Sequence, residues 1–323
     1  MASDLSSEFM ELCSWSFLWR KHRDRISDSA SPAAPLGDLP ENCAALILAH
    51  LDPPDICNLS RLNKSFRSAS WADFVWESKL PENCEALAAR VLGGGDVGDA
   101  ADCKMRKREI FSKLCRKNTI EGGTMVIAFS ILFPAFFSRT SLPQRAWLDK
   151  QTGELCLSVS AKGLAITGID DRRYWNHIPT EESRFGSVAY LNQTWWLEVT
   201  GQIDFPFPAG KYAVYFRIQL GRTSKSFGRR VCNTEHVHGW DVKPVRFQLW
   251  TSDGQHVSSE CFLTESGKWR LYHAGDFVAG AGGKCTSLKV SIMQIDCTHT
   301  KGGLCLDSVS VLPCASKNWS NIF

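Results

Sequence analysis

LGDLPENCAALILAHLDPPDICNLSRLNKSFRSASWADFVWESKLP, residues 36–81, decides how this chain is divided. Asp38 is placed to cap a helix whose first turn holds Pro40 and Glu41, and Leu39, Cys43, Leu46, Ile47 and Leu51 follow as a helical stripe. Asp52-Pro53-Pro54 stops that helix, because proline cannot continue the hydrogen-bond ladder. The same prolines suit the first turn of the next helix, where Ile56, Leu59, Leu62 and Phe66 recur at helical spacing. Ser70 with Asp73 three positions later predicts a capped third helix through Phe74, Val75 and Trp76, ending before Pro81. A trihelical unit this small buries little apolar surface alone, so its surplus of leucines and aromatics implies a partner.

Outward from this unit the character changes in both directions. Residues 1–35 end in SDSASPAAP and read as a flexible N-terminal segment; the helical domain takes residues 36–82. A linker at 83–124 contains the glycine-rich hinge Leu92–Gly98 and a basic helix from Asp102 to Cys115, with Ile110, Phe111 and Leu114 facing inward. Residues 125–144 are an apolar insertion, and from 145 to 315 the hydrophobic period switches from 3.6 to 2. Leu155, Leu157 and Val159 alternate with polar neighbours, as do Trp195, Leu197 and Val199; Tyr212 to Leu220 makes the longest such run. Further strands are predicted at Val245–Trp250, Cys261–Leu263, Trp269–His273, Leu288–Ile295 and Cys305–Leu312, before a short tail at 316–323. The fold class expected is multidomain: a small all-α trihelical unit followed by an all-β antiparallel jelly roll or β-sandwich.

Composition excludes more than it proposes. The 323 residues are 44% hydrophobic and 22% charged with a formal net charge of +3, an ordinary globular balance without the basic stripe of a nucleic-acid binder. Thirteen cysteines, odd in number and never spaced as CxxC, imply buried free thiols in a reducing compartment, neither a disulfide framework nor a zinc site. His236 and His238 lack further ligands at metal spacing, so no metal and no cofactor is expected. Phe9 to Trp19 is interrupted by Glu11, Ser14 and Ser16, and the basic residues follow it, which is the reverse of a secretory signal. The apolar insertion contains Pro134 and falls short of the ~20 residues needed to cross a bilayer, so no membrane partner is expected. A cytoplasmic or nuclear location follows. No nucleophile–base pair, phosphate loop or carboxylate pair stands out, and the chain reads as non-enzymatic.

The ordered positions Leu39-Pro40, Ile47-Leu48, Leu51, Pro53, Ile56, Leu59, Leu62, Phe66 and Trp76 resemble the F-box family over the whole of residues 36–81. That resemblance implies a docking unit for the SKP-type adaptor, and through it for cullin and RING subunits of a ubiquitin ligase. Leu39, Pro40, Ile47, Leu51, Pro53, Ile56, Leu59 and Trp76 are the adaptor contacts it implies.

Three blocks, GIDDRRYWNHIPTEESRF at 168–185, AYLNQTWWLEVTG at 189–201 and GWDVKPVRFQLWTSDGQ at 239–255, resemble the Nictaba or phloem protein 2 family of plant lectins. The resemblance covers Trp147 to Pro313 and implies recognition of N-acetylglucosamine oligomers or N-glycan cores, hence a glycoprotein target. Sugar recognition needs an aromatic face and hydroxyl acceptors. Trp175 beside Asp171, and Trp196 with Glu198 on the face opposite Trp195, Leu197 and Val199, are the residues expected to supply them. Two other readings stand beside this one: a free-standing lectin without ligase assembly, and a ligase receptor whose sandwich grips a protein surface. The fused family passes from the basic helix to its WLDK strand, here Trp147–Lys150, through a brief glycine-containing link. Val126–Gln144 therefore reads as a retained intron translated in frame: Phe, Leu, Ile and Ser are what thymine-rich DNA encodes, and valine codons begin with GT. Its removal leaves GGTMRAWLDK.

Overall fold

The computed structural model describes residues 39–92, 105–120, 127–128, 136–137, 144–226, 229–280 and 285–314. Expectations for residues 1–35, for 93–98, for the tail 316–323 and for most of Val126–Gln144 lie outside them. The chain divides into Met1–Pro40 and a larger compact unit, Glu41–Phe323.

The larger unit opens with helices α1 (Glu41–Ala49), α2 (Pro53–Leu59), α3 (Lys64–Ala69), α4 (Asp73–Glu77), α5 (Cys84–Leu92) and α6 (Lys107–Leu114). Pro53 and Pro54 do start a helix, but the stripe from Ile56 to Phe66 is broken after Leu59. Asn63 is extended (φ −151°), and its side chain accepts the Phe66 N–H at 2.8 Å, which caps α3 as a separate helix. Ser70 does not cap α4, whose N-cap position is Ala72. Its hydroxyl donates instead to the Arg67 carbonyl (2.8 Å) and accepts from Arg108 (3.0 Å), and its carbonyl takes the Trp76 indole N–H at 2.7 Å. Trp76 is buried against Phe111 of α6, ring centroids 5.1 Å apart, so the basic helix completes the small core.

Two of the described helices lie directly on the sheet that follows. Helix α5 lies against β1 (Asn118–Ile120) and α6 against β4 (Gln144–Leu148). The Asn83 amide donates to the Pro206 carbonyl (3.0 Å). Gly153, at φ +74°, brings the turn after β4 so close to α4 that a Cβ there would overlap the Lys79 carbonyl oxygen.

The antiparallel sandwich expected from the period-2 segments is present. One sheet has eight strands, ordered β1-β4-β5-β17-β10-β15, with β5 at Leu155–Ser160, β10 at Gly210–Leu220, β15 at Arg270–Ala279 and β17 at Leu304–Pro313. The hairpin of β7 (Trp175–Pro179) and β8 (Ser187–Leu191) joins it where β8 pairs with the start of β17. The second sheet runs β14-β13-β16-β9-β6, from His256–Cys261 through Val245–Thr251, Thr286–Gln294 and Leu197–Phe205 to Ala165–Ile166. Two short ribbons complete the described strands: β11–β12 (Arg222–Ser226 with Arg229–Asn233) and β2–β3 (Ile127–Ala128 with Phe136–Phe137). Phe216 and Phe247 meet across the core at 5.9 Å, and Phe205, Phe207, Tyr212 and Phe277 close one end of it.

Alternation misled in the central strands. Every residue of β5 and β17 is buried, polar ones included, and Ser158 and Ser310 pair hydroxyl to hydroxyl at 3.0 Å. A strand covered on both faces loses the half-buried pattern. The cysteines also depart from expectation: Cys84, Cys156 and Cys305 are buried, but Cys43, Cys57, Cys285, Cys297 and Cys314 are exposed.

Candidate functional site

On the helical unit the predicted contact residues fall into two groups. Pro53, Ile56 and Trp76 are buried among the helices, where they fill the core of the unit. Leu39, Ile47, Leu51 and Leu59 are half-buried and Pro40 is exposed. Besides Trp71, the large apolar side chains of the described helical unit that face outward are Leu46 (60% exposed), Leu62 (72%) and Phe74 (45%). Periodicity includes these three in its stripes but cannot tell the inward edge of a stripe from the outward one. The inward edge is taken by residues that meet Phe111 and its neighbours on a helix distant in sequence.

On the sandwich, too, the residues expected to contact sugar divide between buried and exposed positions. Trp175 is 1% exposed: it opens β7, paired with Leu191, and points into the core, while its neighbour Tyr174 takes the exposed position. Strand β9 begins only at Leu197, because the Thr194 hydroxyl accepts the Trp196 N–H (3.2 Å) and donates to its carbonyl (3.0 Å), forming a local turn. Trp196 is half-buried, and its indole N–H donates to Glu198 at 3.1 Å. Glu198 is itself buried, not outward-facing, and also accepts the Thr167 hydroxyl at 3.3 Å. Trp195, expected in the core, is the exposed tryptophan.

Asp171 is near the surface and accepts the backbone and side-chain N–H groups of Arg173; these bonds hold its carboxyl below the usual carboxylate range. Asn192 ties this loop to the next, its amide donating to the Arg172 carbonyl (2.9 Å) and its N–H to the Tyr174 carbonyl (2.8 Å). Behind them lies Lys301, fully buried, its ammonium donating to the carbonyls of Trp195, Gln294 and Asp296 at 2.9, 3.0 and 3.1 Å. Burial lowers its pKa.

A cleft that periodicity gave no sign of lies beside the larger sheet, between the β7–β8 hairpin and the end of β10, the start of β11 and Trp269. Its volume is about 540 Å³. Ile178, Val188 and Cys305 form an apolar floor, Trp269 a wall, and Glu181, Glu182, Gln219, Arg222 and Thr223 supply polar groups. The walls are fixed from beneath by Arg217, which is nearly buried. Its guanidinium donates to Asp307 (2.9 Å) and to the Glu182 carbonyl (3.0 Å) and stacks 4.3 Å from the Trp269 ring centroid. The Trp269 indole N–H donates to the Glu182 carboxylate at 3.0 Å, closing the circuit. An aromatic wall, an apolar floor and fixed acceptors are the ingredients of a pre-formed small-ligand site. The residues come from five strands, β7, β8, β10, β11 and β17, and the loops beside them, which is why no single stretch of sequence announces them.

His238 spends its Nδ1 on the His236 carbonyl (2.9 Å), and no group of three or more His, Cys, Asp or Glu arranged to hold a metal occurs among the described residues. Among them, too, no helix is long and apolar enough to cross a membrane.

Comparison with known proteins agrees with this division. A family model described as "F-box domain" matches residues 36–77, and one described as "Phloem protein 2" matches 154–313. Among similar Arabidopsis thaliana proteins, F-box protein PP2-A12 is 56% identical over 88% of this chain and 89% of its own length. F-box protein PP2-A13 is 52% identical over 90% and 92% respectively, and F-box protein PP2-A15 is 45% identical over 86% and 88%.

Proposed function

Because the chain belongs to the F-box proteins that carry a phloem protein 2 domain, we propose that it is the substrate-receptor subunit of an SCF-type ubiquitin ligase. The helical unit docks the SKP-type adaptor, and through it the cullin and RING subunits, while the sandwich holds the target. The chain itself makes and breaks no bond. Transfer belongs to the recruited conjugating enzyme, and this subunit raises the local concentration of target beside it. Its place of work on this reading is the cytosol or nucleus.

The observation that carries the docking reading is the exposure of Leu46, Leu62 and Phe74 on a helical unit whose inner positions are already filled by Ile56, Phe66 and Trp76. An apolar surplus of that kind is stabilised by a partner's complementary patch. Affinity capture of the intact chain and of a Leu62→Asp variant tests it. Adaptor, cullin and RING subunits should come down with the first and be depleted with the second; equal recovery contradicts the proposal.

For the target we favour a glycan held in the Trp269 cleft. Trp175 and Glu198 are committed to the interior, whereas the cleft offers an indole, carboxylates, an amide and an apolar floor for an acetamido methyl or a pyranose face. A glycan array probed with the full chain and with Gln219→Ala separates the readings. Binding lost in the variant supports the cleft; no binding by the parent chain leaves a protein surface as the target.

A further inference from the structure

A second concavity, on the helical unit, belongs to neither reading. It measures about 560 Å³ and is lined by Ser60, Arg61, Asn63, Lys64, Arg67, Trp71 and Arg108. Four of these seven side chains are cationic and none is acidic. Arg61, Lys64 and Arg67 follow one another at intervals of three, from the loop after α2 into α3, which places them along one side. Arg108 reaches the same space from α6. No carboxylate pairs with any of the four among the described residues, although the whole chain carries a formal charge of only +3.

The concavity is also partly rigid. Arg108 is half-buried, donates to the Ser70 hydroxyl at 3.0 Å and stacks over Trp71 at 4.1 Å, with Trp76 behind at 5.8 Å. Trp71 is 42% exposed and forms a wall that shields one side from water. The hydroxyl of Ser60 and the side chain of Asn63 are held by the helix ends they cap, at Cys57 and Phe66. Like charges gathered at one site repel unless an anion sits among them. Guanidinium forks match phosphate oxygens two at a time, and three of the four cations here are arginines.

From this charge and shape we infer that the pocket binds a compact, multiply phosphorylated small ligand. The reading is independent of adaptor docking. A ligand with several phosphates close together places its charge among all four cations at once, whereas an extended acidic peptide spreads its charge along its length.

The test is calorimetric titration of the full chain with inorganic tripolyphosphate at low and moderate salt. It compares the parent, Lys64→Ala/Arg67→Ala, and a control that loses the same charge elsewhere, Lys162→Ala/Lys268→Ala. The expected result is saturable, salt-weakened binding that falls at least tenfold in the pocket variant and less than threefold in the control. Adaptor capture and unliganded melting temperature should stay unchanged in the pocket variant. Equal losses in the two variants, absence of saturable binding, tighter binding of an oligoglutamate peptide, or loss of adaptor capture with the pocket variant would each overturn the inference.

Discussion

Replacing Arg217 by methionine probes the buried circuit under the cleft. Arg217 and Asp307 form an ion pair at 2.9 Å, with side chains 9% and 0% exposed, so solvent screens it little. In Arg217→Met, Asp307 keeps the hydroxyls of Ser183 and Ser308 and the more distant charge of Arg184 but loses its direct ion-pair partner, and breaking a buried pair from one side costs about 3–5 kcal/mol. The stacked guanidinium under Trp269 is lost too, a further ~0.5–2 kcal/mol. Against a total stability of roughly 5–15 kcal/mol this is a large fraction. Arg217→Met/Asp307→Leu removes both charges and should lie within about 2 kcal/mol of the parent, since an apolar pair of similar volume often replaces a buried ion pair at little cost. Urea unfolding followed by far-ultraviolet circular dichroism on the parent, both single variants and the double closes the cycle. A loss under about 1 kcal/mol in Arg217→Met, or a double variant as unstable as the sum of the singles, would refute the circuit.

Three further outcomes follow from named contacts. Trp76→Ala leaves a cavity between α4 and α6 and should cost about 3–5 kcal/mol, measurable as a lower urea midpoint for the whole unit. Burial pushes the Cys305 and Cys115 thiols up to about 12; at pH 8 the thiolate fraction is then about 10⁻⁴, and iodoacetamide should modify Cys43, Cys57, Cys285 and Cys297 first, as peptide mass mapping of the folded protein would show. Raising the pH toward those values restores reactivity, so rapid labelling of Cys305 at pH 8 contradicts its burial. Deleting Val126–Gln144 removes the β2–β3 ribbon and the first residue of β4 but should leave the two sheets intact, because Thr119 and Arg145 are already antiparallel partners and residues 120–125 can close the hairpin between them. An unfolded deletion product, or an abundant message retaining the segment, would count against the intron reading.

The order of the fold was legible in the chain because its two periods differ so plainly: prolines and leucines at helical spacing give way to the alternation seen from Tyr212 to Leu220. Detail failed where local pattern met long-range packing. Ser70 has the spacing of a cap, but Arg108 and Trp76 claim its polar atoms. Trp175 resembles a ligand platform by its neighbours, but pairing with Leu191 turns it inward. Trp195 and Trp196 alternate like strand residues, yet Thr194 bends them out of the strand. The Trp269 cleft is assembled from distant strands and is invisible to any window of sequence.

Docking through an incomplete apolar surface is most directly tested by the dissociation constant of the full chain for an SKP-type adaptor, set beside that of Leu46→Asp/Leu62→Asp. Each exposed leucine buried on the adaptor contributes roughly 1.5–3 kcal/mol. The double variant should therefore bind about 10²–10⁴ times more weakly at an unchanged unfolding midpoint. Equal affinity in the two chains would contradict the account.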